Sequence, residues 1–176
     1  RWLHGLYGAD VEPMMIEFQI ETPVDEVTQP KQMPVFAMHQ MLRALHKAGD
    51  LQFRVSVLGE DGESGILEYW QARLLTTFGQ QHPALQGIKT DPEKLSKLVP
   101  LYLHMDGAEV FTNQEFYVFD FSSATAINCN VFDGRFIKSV FPHEYMRSRK
   151  VKQAVFELMV RFYVWDLCIL VSGLLP

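Results

Sequence analysis

The segment Leu-Tyr-Leu-His-Met-Asp-Gly, residues 101–107, holds the residue types and spacing that come closest to a chemical site. On an extended chain Tyr102, His104 and Asp106 share one face, while Leu101, Leu103 and Met105 point the other way. A carboxylate at the C-terminal end of an apolar strand, followed by glycine, suits a metal ligand or a catalytic acid. The strand fixes the carboxylate, and the glycine lets a substrate approach closely. His104 and Asp106, two positions apart, can offer two ligands to one ion. The competing reading is a plain turn, because Asp-Gly supplies the positive φ that tight turns need.

A second candidate is the basic cluster Arg147, Arg149, Lys150 and Lys152, which precedes or opens a long apolar segment. Positive charge at a helix start opposes the helix dipole, so a compensating phosphate is one explanation. A solvated loop paired with Glu144 is the other. Glu157 and Asp166, on the same segment, could add carboxylates to a site or form ordinary salt bridges. His39 and His46 lie near one helix face but about 10 Å apart, too far for one ion. His82 and His143 sit beside prolines. No zinc spacing, glycine-rich phosphate loop, nucleophile elbow or HExxH is present. Cys129 has no activating base next to it in sequence.

These residues need elements to position them. Met14 to Thr22 alternates, with Ile16, Phe18 and Ile20 on one face, which predicts a strand with one wet side. Pro23, Pro30 and Pro34 punctuate a connector from which no fixed structure is inferred. Pro34 is placed to open a helix carrying Val35, Met38, Met41, Leu42 and Leu45, stopped by Gly49. Leu51 to Leu58 alternates again and reads as a strand. Ser64 is placed to cap a helix through Ile66, Leu67, Trp70, Leu74 and Phe78, and Asp91-Pro92-Glu93 opens a short helix reaching about Leu98. Beyond Pro100, strands are expected at Leu101–Asp106, Glu115–Ser122 and Arg135–Phe141, with turns at Gly107 and Asp133-Gly134. Val151 to Ser172 then reads as a mostly buried helix ended by Gly173. Methionines 33, 38 and 41 and the Trp70–Phe78 helix could line a partner groove, although residues of this kind at helical spacing more often fill a core.

The 176 residues form a mixed α/β chain by this reading, with residues 1–99 and 100–176 as its two segments. An apolar fraction of 48% and thirteen Phe are enough for a packed core, which disfavours disorder. The formal charge of −5 gives no overall attraction to nucleic acid, so polyanion binding needs a local patch. Two cysteines without CxxC spacing point away from a secreted disulfide scaffold and toward a reducing, intracellular compartment. No secretory signal follows Arg1, and a first residue other than Met suggests a fragment or a processed product. The most apolar run, Phe162 to Val171, is too short for a bilayer span of about 20 residues, so no membrane partner is expected.

Three stretches carry a resemblance: "LYLHMDGAEVFTNQEFYVFDFSS", "DGRFIKSVFP" and the helix with "VRFYVWDLCILVSG". Together, over about residues 99–175, they resemble the first strands and first helix of the RNase H-like domain of DDE-type transposases and transposon-derived proteins. The resemblance implies three antiparallel strands, then a long helix, with a metal-binding Asp ending the first strand. Asp106 alone carries over as that first carboxylate. It further implies two-metal phosphoryl transfer with Mg or Mn, and in that reading the basic residues Arg147, Arg149, Lys150 and Lys152 contact DNA, while His104 stays a candidate metal ligand from its strand spacing alone. The family's second Asp and later Glu would lie beyond Pro176, so such a core is incomplete here and the chain is expected to be inactive. An open sheet edge would favour self-association. The alternative is a non-catalytic α/β interaction or structural module in which Asp106 is only a turn residue. A small-molecule hydrolase ranks last, since no nucleophile-base pair can be identified.

Overall fold

The structure, a computed structural model, describes residues 11–21, 28–111, 114–126 and 135–172. Its elements run β1 (Met14–Glu21), β2 (Thr28–Val35), α1 (Met38–Ala48), α2 (Asp50–Phe53) and a π-turn (Arg54–Leu58). Next come α3 (Glu63–Leu74), α4 (Thr77–Gln81), α5 (Pro83–Gln86) and α6 (Pro92–Ser96). Strands β3 (Leu101–Phe111), β4 (Gln114–Ser123) and β5 (Arg135–Pro142), a 3-10 turn (His143–Met146) and α7 (Arg149–Ser172) complete the order. The mixed α/β class read from the sequence is therefore the class observed. The expected turn at Asp133-Gly134 and the stop at Gly173 lie outside the described residues.

The chain forms two compact units, neither continuous in sequence. Of the described residues, one unit gathers those up to Lys47 with those of 103–121 and those from Phe136 onward; the other gathers those of 48–102 with those between 122 and 135. The chain passes from the second unit to the first between Tyr102 and Leu103.

In the first unit, β1 pairs antiparallel with β2 from Met14 opposite Val35 to Glu21 opposite Thr28. The described part of the proline-rich connector, Thr28–Val35, is therefore a strand, which corrects the reading from Pro30 and Pro34, while Pro23 lies outside the described residues. Pro30 and Pro34 are four apart and so sit on the same edge of β2, away from β1. A missing N–H costs no ladder bond there. That edge turns toward β5: Phe36 donates its N–H to the Lys138 carbonyl at 2.8 Å, and the Ser139 hydroxyl donates to the Pro34 carbonyl at 2.8 Å. Helix α1 consequently starts at Met38, not at Pro34.

Strands β3, β4 and β5 lie in that order in a three-stranded antiparallel sheet, followed by α7. Alternating phenylalanines form the interior. Phe18 and Phe119 each meet Phe141 edge to face, at 4.8 and 5.5 Å between centroids, and Phe121 stacks on Phe136 at 4.9 Å. One face of α7, through Val155, Met159, Phe162 and Tyr163, is buried. The helix is not buried on most sides as its composition suggested: Val160, Val164, Trp165 and Val171 are exposed.

The second unit corrects two further expectations. Leu51–Leu58 is helical rather than extended, and the Gly59 N–H donates five residues back to the Arg54 carbonyl at 2.7 Å. Alternation misleads there because Leu51 is 76% exposed while Ser56 and Val57 are buried. Helix α3 ends at Leu74, and Thr76 caps the separate α4 by accepting from the Gly79 N–H at 3.2 Å. Ser64 lies inside the first turn of α3, its hydroxyl donating to the Asp61 carbonyl. Asp91 does cap α6, accepting from the Lys94 N–H at 3.2 Å.

Candidate functional site

Asp106 does not end its strand. β3 continues through Gly107 to Phe111, so the expected turn is absent and the carboxylate sits in mid-strand. Asp106 is exposed, and its Oδ1 accepts the N–H of Gly107 at 2.8 Å. A Cβ built on Gly107 would stand 3.5 Å from the Tyr117 ring, an ordinary packing contact. His104, half-buried, shares the face of Asp106 by strand alternation. Among the described residues, no three His, Cys, Asp or Glu side chains gather where they could hold an ion. One carboxylate and one imidazole do not fit the paired Mg or Mn ions of two-metal chemistry, which need bridging carboxylates.

The basic cluster divides. Arg147, Arg149 and Lys150 are exposed where α7 begins, and the Ser148 hydroxyl accepts the Val151 N–H at 3.2 Å as a helix cap. Lys152 is half-buried, lies within the helix, and turns inward. Its Nζ donates to the Tyr117 hydroxyl at 2.6 Å and lies 4.3 Å from that ring's centroid. Glu157 is exposed and accepts from the Gln153 amide at 2.9 Å.

The most constrained ionisable group is Asp166, 0% exposed. Its Oδ1 accepts from His39 twice, from the main-chain N–H at 3.0 Å and from Nδ1 at 2.6 Å. Its Oδ2 accepts the Met38 N–H and the Lys138 ammonium. Those four donors fill the four lone-pair directions of a carboxylate and fix the imidazole proton on Nδ1. Two of them are N–H groups at the start of α1 that no helical carbonyl can reach. Lys138 is itself fully buried, its Nζ 4.5 Å from the Tyr163 ring centroid and 4.7 Å from that of Phe162. Burial pulls the Lys138 ammonium below the ordinary lysine value, with Asp166 restoring part of it. Burial pushes the Asp166 carboxyl up, but Lys138 and the two N–H donors outweigh this and leave it below the usual carboxylate range. The same burial raises the Tyr163 phenol, which donates to the Asp120 carbonyl at 3.0 Å.

In the sequence Asp166 reads as a site carboxylate or an ordinary salt-bridge partner, and His39 as too far from His46 to share an ion. Sequence reasoning had no route to their meeting, because the partners are 127 residues apart. A second constellation also went unread. In the other unit, Arg73 Nη2 donates to the Tyr102 hydroxyl at 3.2 Å, the Tyr69 and Tyr102 oxygens lie 3.4 Å apart, and the guanidinium covers the Tyr69 ring at 5.3 Å. Hydrogen bonding to Tyr69 holds the Tyr102 phenol below its ordinary value, while burial raises that of Tyr69. Only the Tyr69–Arg73 spacing of four on one helix could have signalled it.

No family model matches the chain, and neither a curated protein nor a solved structure matches it.

Proposed function

We propose that this chain is a non-catalytic α/β interaction module whose buried ionisable groups hold the fold together. One observation carries the reading: Asp166, the most enclosed carboxylate, has all its acceptor directions occupied by protein donors. A carboxylate in that state serves neither as a base nor as a metal ligand without dismantling the start of α1. Asp106 lies in the open with one oxygen on its own neighbour's N–H. The test is incubation of the protein with labelled single- and double-stranded DNA in Mg or Mn. No cleavage is expected from the chain or from Asp106→Asn. Divalent-ion-dependent cutting that disappears in Asp106→Asn would overturn the reading.

A second reading is a transposon-derived piece of a longer phosphoryl-transfer protein. It draws support from the adjacency of β3, β4 and β5 ahead of α7, the order that the resemblance implies. In it, Asp106 with His104 supplies part of a Mg or Mn site completed from outside this chain. The exposed Arg147, Arg149 and Lys150 then contact the DNA backbone, and Lys152, turned onto Tyr117, drops out of that set. A salt-dependent affinity for a labelled duplex that weakens in the double variant Arg149→Gln/Lys150→Gln is the outcome that favours it.

A further inference from the structure

The Tyr69–Arg73–Tyr102 group stands at a cleft of about 560 Å³ within the second unit, a volume ordinary for small-ligand sites. Its walls are largely rings. Trp70 is fixed by donating its indole N–H to the Leu98 carbonyl at 2.5 Å, and it meets Tyr69 edge to face at 5.1 Å. Phe78 is 63% exposed and lies 5.0 Å from the His82 ring. Buried Leu85 also lines the space. A phenylalanine so exposed beside a Trp and a His leaves apolar surface that the protein itself does not cover.

Two polar features sharpen what fits. Arg73 is the one cation among the described residues lining the cleft. A guanidinium has five N–H donors, and the two phenols, which raise its proton affinity, can take only two of them. The remaining donors form a planar fork suited to a carboxylate, and the guanidinium carbon stands 5.3 Å from the Tyr69 ring centroid. His82 Nδ1, in the cleft wall, is buried without a hydrogen-bond partner. That nitrogen is left with an unmet hydrogen-bonding capacity, which a polar atom of a ligand in the cleft would satisfy.

We infer that this cleft binds a small planar aromatic monocarboxylate, with its ring between Trp70 and Phe78 and its carboxylate on Arg73. A single guanidinium without a second cation matches one negative charge better than a phosphate dianion. Titration calorimetry of the whole chain with 2-naphthoate, and with 2-naphthamide as its uncharged counterpart, tests this. The acid is expected to bind at least about tenfold more tightly than the amide, and Arg73→Gln to remove that preference. Phe78→Ala should weaken both ligands, since it removes a wall they share. Absence of naphthoate binding at millimolar concentration, or equal affinities for acid and amide, would overturn the assignment. Should Arg73→Gln fail to fold, the acid-to-amide ratio of the unaltered protein decides the matter alone.

Discussion

Both the ring and the backbone of His39 donate to a single oxygen of Asp166, at 2.6 and 3.0 Å, across 127 residues of chain. Through that carboxylate, α7 supplies the N-terminal cap of α1 and neutralises the ammonium that β5 places in the same interior. A short-range Ser or Asp normally does the capping. Here tertiary structure does it, so the helix start and the packing of three elements rise or fall together.

Removing Asp166 should therefore be costly. Asp166→Ala leaves a buried ammonium and two helix-start N–H groups without an acceptor, and is expected to lose about 3–5 kcal/mol of unfolding free energy. Lys138→Met leaves the carboxylate with its three other donors and should lose distinctly less. Urea unfolding of both variants checks the order, and a larger loss in Lys138→Met would contradict it.

The pH dependence follows from the same pair. The folded Asp166 carboxyl lies below its unfolded value of about 3.9, so its contribution is complete above that value. It disappears as pH falls through the lowered folded one. Lys138 is also lowered, so between its folded value and about 10.4 the unfolded chain binds more protons, and stability rises with pH. Unfolding free energies measured across pH should show Asp166→Asn losing part of the acid limb and Lys138→Met losing the alkaline rise.

Three glycines separate packing from backbone freedom. An ideal Cβ on Gly79 would stand 2.1 Å from the Arg73 carbonyl oxygen; on Gly59, at φ +88°, it would stand 2.2 Å from that of Thr125. Ala at either position should cost about 1–3 kcal/mol. Gly87, at φ −84° with nothing within 4 Å, should instead gain about 0.4–1 kcal/mol as Ala. Thermal melts of the three variants suffice.

In the basic cluster, exposed Arg149 and Lys150 should tolerate Gln within about 0.5 kcal/mol. Lys152→Ala, which releases the Tyr117 hydroxyl and ring, should cost about 1 kcal/mol. Chemical denaturation distinguishes the two cases, and equal effects would mean that the inward turn of Lys152 contributes nothing.

Asp106→Ala is expected to change stability by under about 0.5 kcal/mol, because the side chain is exposed and bonds only to the next residue's N–H. A loss of several kcal/mol would show that Asp106 supports the sheet in a way its geometry does not indicate.

Legibility in the sequence tracked how local each cause was. The alternation of Ile16, Phe18 and Ile20 and the cap at Asp91 depend on neighbours within a few residues, and both read correctly. Pro30 and Pro34 misled because a proline is tolerated on a strand's donor-free edge, and which edge that is depends on β1 and β5. Leu51–Leu58 misled because alternation says nothing about whether a partner strand exists. Asp106-Gly107 reads as a turn by composition, yet the strand runs on past it. The cluster at Asp166 needs three segments brought together in space. No window along the chain contains it.

Because the first unit draws on segments far apart in the chain, synthesis imposes an order on its assembly. A ribosome delivers the helix bearing His39 long before Lys138 and Asp166 exist to receive it. The β2 edge with its acceptor carbonyls likewise emerges ahead of Ser139. Nascent chains thus carry an unfinished interior while the 127 residues between His39 and Asp166 are made, the interval in which chaperone engagement has most to protect. Closure waits on α7, and refolding from denaturant should proceed at the slow pace of distant contacts rather than that of a helical hairpin.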